Sequence, residues 1–146
     1  MSATSATEGC IFCAIVEGKA PAAKVYEDER TLIFMDLFPA HEGHTLVIPK
    51  RHGADLFETS VEDLQAVIAQ SKPLADALKR VFDADGIAVL QLNGEAAGQT
   101  VFHYHMHLIP RNHGEPFGIH GKKMADTDVL AEQAARIAEA FTPVAG

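Results

Sequence analysis

A short histidine-rich segment constrains the fold more than any other part of the chain. His103, His105 and His107 are separated by single apolar residues in the stretch HYHMHL. Period-two alternation is typical of a β-strand, in which successive side chains point to opposite faces. The pattern predicts a strand with three imidazoles on one face, neighbours about 6.5–7 Å apart, and with Phe102 and the other apolar residues facing a core. Pro110 is predicted to end this strand because it lacks an N–H donor.

Length, charge and hydropathy narrow the class of protein. The 146 residues fit one domain, predicted over residues 10–146 after a disordered tail of residues 1–9. A formal net charge of −8 argues against a nucleic-acid surface. No run approaches the roughly 18–20 apolar residues of a membrane span, and the N-terminus does not resemble a signal peptide. A cytoplasmic protein that binds neither nucleic acid nor membrane is therefore expected.

Local patterns predict an α+β protein. Three helices are expected: Cys10–Gly18, one that starts at Ser60, and Asp126–Phe141. Four further strands are expected: Ala23–Glu27, Thr31–Asp36, His44–Ile48 and Gly86–Leu92. Pro73 should kink or divide the second helix. The order of elements suggests an antiparallel sheet with helices on one face.

Two kinds of chemistry suit three histidines on one face. Neutral imidazole has a lone pair that can attack phosphorus and form a covalent intermediate. Alternatively, the three side chains bind a catalytic metal, although on a straight strand they span too far to meet one ion at about 2.1 Å. The preceding loop favours the first reading, because Gly98 permits a turn in which Asn93, Gln99 and Thr100 could bind an anion.

The segment HYHMHLI resembles the histidine-triad (HIT) pattern, in which three histidines alternate with hydrophobic residues. The resemblance extends over roughly Cys10 to Arg111. It includes the motifs CIFC, VYED, FMD, GHTLVIPK and N…AGQ, which are similar to those of the family's bacterial branch. The fold that this implies is a five-stranded antiparallel sheet with helices. Two subunits typically pair into one continuous sheet, which implies a homodimer.

The resemblance also implies a reaction. His105 would attack the α-phosphorus of a nucleoside phosphoramidate or related nucleotide conjugate, and water would hydrolyse the resulting nucleotidyl-histidine. His107 would assist the leaving group, with His44 beside it. No metal is required for this chemistry. The ligand would be a purine nucleotide or nucleotide conjugate.

The implied substrate contacts are seven residues. They are Asn93, Gln99 and Thr100 at the phosphate, Asp36 at the ribose, and Phe12, Ile15 and Leu37 around the base.

The two cysteines form a second candidate site. Cys10 and Cys13 are spaced as C-x-x-C, and His52 and His103 are the nearest plausible further ligands. Zn²⁺ accepts such a set tetrahedrally, and some bacterial members of the family carry a structural zinc of this kind. Free thiols and a redox pair stay open as alternatives. His113 and His120 receive no role.

Two further classes of function stay open beside the hydrolase. A metal-dependent hydrolase would lose activity with chelator while still folded. A nucleotide-binding regulatory module would bind adenosine monophosphate (AMP) without turning anything over.

Overall fold

The computed structural model of the protein describes residues 8–145, so most of the predicted tail lies outside the described residues. The elements, in chain order, are α1 (Ile11–Val16), β1 (Lys24–Glu27), β2 (Thr31–Met35), β3 (Thr45–Pro49), α2 (Val61–Phe82), β4 (Gly86–Leu90), β5 (Met106–Arg111) and α3 (Thr127–Ala140). The predicted helices and strands are confirmed to within a few residues at their ends. No helix in residues 8–145 has the length and apolarity that a bilayer crossing requires.

The five strands form one antiparallel sheet in the order β1-β2-β3-β5-β4. This confirms the predicted α+β class. The histidine-bearing strand β5 lies between β3 and β4, so its neighbours on both sides position its side chains. The sheet edges are β1 and β4, and pairing of two subunits along an edge stays a prediction.

Helices pack on both faces of the sheet. Leu74 and Leu78 of α2 and Ile137 of α3 are buried with sheet residues such as Ile33 and Val47. On the opposite face, α1 contributes Phe12 and Ile15 to a smaller cluster with Phe34, Leu46 and their neighbours. The expectation of helices on one face is therefore wrong for α1. This short helix covers the face from which the histidines project.

Helix α2 is continuous through Pro73, so the predicted division does not occur. The Ser60 hydroxyl accepts a hydrogen bond from the backbone N–H of Asp63 at 3.1 Å, which confirms the predicted cap. A proline inside a helix costs about 3 kcal/mol, whereas burying one leucine contributes about 1.5–3 kcal/mol. Leu74 and Leu78 follow the proline and are fully buried. Their burial offsets the missing hydrogen bond.

The histidine segment is less regular than its alternation predicts. Strand β5 begins only at Met106, because β3 pairs with β5 no further upstream than Val47↔Met106. His103 and His105 therefore lie just before the ladder. The strand runs through Pro110, which is in register with Ile87 of β4. Pairing with β3 ends at Leu108, so at Pro110 one side of the strand has no partner strand and a missing donor is tolerated.

The predicted division of the faces holds with one exception. Tyr104, Met106 and Leu108 join the core under α2 and α3, while the histidines face α1. Phe102 is the exception, since 49% of it is exposed.

Candidate active site and candidate metal centre

A cavity of about 720 Å³ opens on the α1 side of the sheet. Most of its wall is apolar and includes Phe12, Ile15 and Leu37. His105 and His107 also line it. A mostly apolar cavity of this size with a few polar groups suits a small-molecule ligand.

His105 has its ring orientation set by the backbone. Its Nδ1 lies 2.7 Å from the carbonyl oxygen of His103, an acceptor, so we assign the ring proton to Nδ1. Burial lowers the pKa of His105, which favours the neutral ring. The lone pair is therefore on Nε2. The edge of Phe12 packs against this imidazole with ring centroids 5.2 Å apart, which holds it against the cavity wall.

His44 and His107 form a directed pair. The backbone N–H of Ala40 donates to Nδ1 of His44 at 2.9 Å, so the proton of the neutral ring is on Nε2. That Nε2 lies 3.0 Å from Nδ1 of His107 and donates to it. Burial lowers the pKa of each of these two histidines to about 3, which makes both neutral.

The consequence for His107 is a proton on Nε2. Within residues 8–145 this is the one buried side-chain nitrogen or oxygen atom that has no hydrogen-bond partner. An unsatisfied buried donor costs about 1–3 kcal/mol. His107 lines the cavity, so this buried donor lies beside the space that a ligand would occupy.

Asp36 lies at the end of β2 beside this pair. One carboxyl oxygen accepts from the backbone N–H of Phe38 at 2.8 Å, and the other lies 3.4 Å from Nε2 of His44. Burial raises the pKa of this carboxyl to about 6. Since His44 is neutral and its Nε2–H donates to His107, this contact is not an ion pair.

Residues before the triad divide into two groups. Thr100 lines the cavity as expected. Gln99 does not extend into it: its side chain bonds the N–H of Gly94 and the carbonyls of Ala54 and Val101, and its own N–H donates to the Gly94 carbonyl.

The side chain of Asn93, like that of Gln99, holds the loop in place. Its side chain bonds the Gln91 side chain and the backbone N–H of Leu56. Asn93 and Gln99 therefore do not line the cavity, and both amides hold the loop, so their role at the phosphate stays a prediction. Gly98 has φ +101°, which agrees with the predicted turn.

The four candidate metal ligands converge at a separate place. Nδ1 of His103 lies 3.4 Å from Sγ of Cys10 and 3.5 Å from Sγ of Cys13, and Nδ1 of His52 lies 3.3 Å from Sγ of Cys13. All four ligand atoms lie within 4.8 Å of one another. These separations suit a tetrahedral zinc ion with bonds of about 2.1–2.3 Å.

One further detail fits a zinc ion at this cluster, and a second argues against a redox pair. Nε2 of His103 lies 2.7 Å from the Pro49 carbonyl and donates to it, which leaves Nδ1 as a lone pair among the sulfurs. A carbonyl behind a histidine ligand is a common support of zinc sites. Burial raises the pKa of the Cys13 thiol to about 12, which is opposite to the low pKa of a redox-active cysteine.

Asp36, His44 and His107 also place ligand-type atoms close together. A metal would need the lone pair of Nε2 on His44, but that nitrogen carries the proton when Nδ1 accepts from Ala40. Hydrogen bonding therefore favours a proton-relay role for this group over metal binding. Neither clustered set within residues 8–145 brings the three histidines of the triad together.

His120 is a cavity residue that no sequence pattern predicted. It lies in the long loop between β5 and α3, yet it lines the cavity, its ring centroid is 6.0 Å from that of His107, and its Nε2 lies 3.1 Å from the Gly98 carbonyl. No periodic pattern marks this position, so no local signal could have identified it. His113, in the same loop, does not line the cavity.

Comparisons with known proteins agree on one family. A family model described as the HIT domain matches residues 17–114. The chain is 47% identical over 120 residues to "Protein hit" of Bacillus subtilis, which covers 82% of this chain and 83% of the relative.

Two solved structures share the fold. A hypothetical histidine triad nucleotide-binding protein from Sulfolobus tokodaii superposes with a TM-score of 0.82 at 31% identity, covering 90% of this chain and 91% of the other. A zinc-bound histidine triad family protein from Mycobacterium smegmatis superposes with a TM-score of 0.80 at 38% identity, covering 92% and 94%.

Proposed function

The chain belongs to the HIT domain family, and from this membership and the site's geometry we propose that it is a nucleotide hydrolase or transferase. It cleaves the bond between the α-phosphate and the leaving group of nucleoside phosphoramidates or related nucleotide conjugates. The reaction passes through a nucleotidyl-histidine intermediate on His105.

One observation carries this proposal. His105 and His107 line the same cavity as neutral rings, and Nε2 is an acceptor on the first and a donor on the second. His105 has a lone pair on Nε2, because Nδ1 is bonded to the His103 carbonyl. His107 has a proton on Nε2, because Nδ1 accepts from His44. The ring centroids are 4.8 Å apart. A nucleophile and a proton donor side by side are what a displacement at phosphorus requires.

In the first step Nε2 of His105 attacks the α-phosphorus. A P–N bond forms, the bond to the leaving group breaks, and the leaving atom takes that electron pair and the proton from Nε2 of His107. The Nδ1 proton of His105 stays on that nitrogen and is donated to the His103 carbonyl, so the modified ring is cationic. This makes it a good leaving group for the second step. The charge on this ring is balanced by His107, which has given up its Nε2 proton and is an imidazolate until the second step.

In the second step water attacks the same phosphorus. Nε2 of His107, now without its proton, takes a proton from the water as the bond to His105 breaks. The products are a nucleoside monophosphate and the original neutral histidines.

The remaining residues bind the nucleotide. Thr100 contacts the phosphate, Asp36 contacts the ribose hydroxyls, and Phe12, Ile15 and Leu37 surround the base. The base slot and the carboxyl lie in the wall of the same cavity as the histidines, which supports this assignment. Asn93 and Gln99 act indirectly, because their side chains hold the loop that carries Thr100.

Cys10, Cys13, His52 and His103 are proposed to hold a structural zinc ion. The convergence of four suitable donor atoms supports it, as does the zinc-bound relative. When bound, zinc would cross-link α1 to the segment before β5, with no open position for chemistry. His103 would thereby join both sites, since its carbonyl orients His105.

The test is hydrolysis of adenosine 5′-phosphoramidate by the wild type and by His105→Asn, each with and without chelator. We expect turnover to survive chelation in folded wild type and to fall about 10⁴-fold or more in the variant. His113→Asn is the matched control, because its side chain is on the surface, and it should not change the rate. Loss of turnover in chelated but still folded wild type would favour a metal-dependent hydrolase. AMP binding without any turnover would indicate a binding module.

A further inference from the structure

The loop between β5 and α3 contributes to the cavity through a short segment, residues 120–125, which we call the strap. Two backbone hydrogen bonds attach it to the segment after β2: Gly121 N–H donates to the Phe38 carbonyl at 3.0 Å, and Ala125 N–H donates to the Leu37 carbonyl at 2.9 Å. The strap, which includes the cavity residues His120 and Gly121, is thus held against the segment after β2.

Gly121 is needed for this close approach. A Cβ at this position would lie 2.1 Å from the Pro39 carbonyl oxygen and 2.6 Å from that of Phe38. Both neighbours are backbone atoms, so a larger residue would displace the strap. The position of the next residue back, His120, therefore depends on a glycine contact.

His120 connects the strap to a second loop. Its Nε2 donates to the Gly98 carbonyl at 3.1 Å, in the loop that precedes the histidine triad. This bond places the proton of the neutral ring on Nε2, which leaves Nδ1 as an acceptor. The ring lies edge-on to His107, whose Nε2–H is the unpartnered donor.

Beside the lone pair of His105, the cavity therefore offers a donor on His107 and an acceptor on His120. Among the described residues that line the cavity there is no lysine or arginine. Lys122 and Lys123 follow His120 in the strap, but both are exposed and neither lines the cavity. A leaving group with several phosphates would find little compensating charge here, whereas an amine nitrogen with one hydrogen and one lone pair would match both histidines.

Building on the proposed function, we propose that His120 is a specificity-determining residue whose Nδ1 accepts a hydrogen bond from the N–H of an amine leaving group. The substrates are then nucleoside phosphoramidates in which the nitrogen bonded to phosphorus keeps a hydrogen. The N–H on His120 turns the nitrogen lone pair toward Nε2–H of His107. When the P–N bond breaks, nitrogen takes the bonding pair and the proton of His107, and His120 exchanges no proton.

The experiment compares two substrates that differ in this hydrogen. They are the N-methyl and N,N-dimethyl phosphoramidates of AMP, each assayed for kcat/KM with wild type, His120→Ala and His120→Gln. We expect His120→Ala to lower kcat/KM about tenfold for the N-methyl compound, as for one lost hydrogen bond to the reacting group. The loss should be less than about twofold for the dimethyl compound. Glutamine, which has both a donor and an acceptor, should recover part of the loss.

Three further variants separate the effect of the His120 contact from the effect of loop packing. Gly121→Ala should reproduce the selective loss with His120 still in the sequence, whereas Gly118→Ala should not, because a Cβ there meets nothing within 4 Å. His113→Ala should match the wild type. An equal loss for both substrates in His120→Ala would mean that His120 only fastens the strap, which would overturn the proposal.

Failure of the proposed function would be recognised separately. If the wild type cleaves neither compound, their binding is measured by competition against AMP. A preference for the N-methyl compound that disappears in His120→Ala would support the contact, and a preference that persists in the variant would overturn it.

Discussion

His103 and His105 are two residues apart and face the same side of the sheet, yet they present opposite ring nitrogens. His103 uses Nε2 to bond the Pro49 carbonyl and turns Nδ1 toward two cysteine sulfurs. His105 uses Nδ1 to bond the carbonyl of His103 and turns Nε2 toward the cavity. The same side chain thus suits a metal ligand in one place and a nucleophile in the next. The nearest backbone carbonyl decides which.

The surroundings of these two histidines differ in their expected effect on stability. The cysteine cluster has all its donor atoms facing one another, so a bound ion would satisfy them together. The cavity side contains an unpartnered donor on His107 and a buried carboxyl on Asp36 with its pKa raised to about 6. Both are unfavourable in the absence of ligand. On one side of His103 lie groups that a bound ion would stabilise. On the other side lie groups whose burial is unfavourable until a ligand binds.

The largest effect that tests this division is expected for His107→Gln. Loss of the proton donor should lower kcat/KM about 1000-fold for a phosphoramidate, whose amine must be protonated to leave. For the p-nitrophenyl ester of AMP, whose leaving group needs no proton, the loss should be about tenfold or less. Zinc content should not change. Equal losses for the two substrates would contradict a donor role for His107 and weaken the comparison.

A second test removes one of the proposed zinc ligands. Cys13→Ser should abolish zinc binding and lower the free energy of unfolding by about 3 kcal/mol, or Tm by roughly 10 °C. Turnover measured below the new Tm should fall much less than in His107→Gln. Ala14→Ser, on the same turn of α1, is the matched control for thermal unfolding and metal analysis. Wild-type protein that contains no zinc after growth in zinc, or an unchanged Tm in Cys13→Ser, would remove the structural metal.

The smallest expected effect is a change in the stability of the protein with pH. The folded-state pKa of Asp36 is raised from 3.8 to about 6, so the folded protein keeps this proton to higher pH than the unfolded chain does. The stability of the wild type should therefore fall relative to Asp36→Asn as pH rises from about 4 to about 6, by about 1–2 kcal/mol.

Urea unfolding of the wild type and Asp36→Asn at pH 4 and pH 7 measures this difference. The variant should also bind AMP more weakly at pH 7, so stability and binding should change in opposite directions. Identical pH profiles for the two proteins would show that burial of the carboxyl is not destabilising.

Local sequence patterns predicted much of the fold. Period-two runs located the strands, Ser60 and Asp126 marked helix starts, and the HYHMHL alternation placed three histidines opposite Tyr104 and Met106. These features depend on neighbours in the chain. The extent of the β5 ladder was not predictable, because it depends on where β3 stops pairing. For the same reason Pro110 lies inside a strand that local rules end before it.

The candidate site divides in the same way. The sequence by itself determined which residues are available: three alternating histidines, a C-x-x-C pair and an apolar first helix. Tertiary structure decided what each one faces. The Pro49 carbonyl selects the ring nitrogen on His103, folding brings His44 to His107, and a glycine contact brings His120 to the cavity. Hydrogen bonds act over about 3 Å, and only the folded chain brings residues that are 50 or more positions apart within that distance.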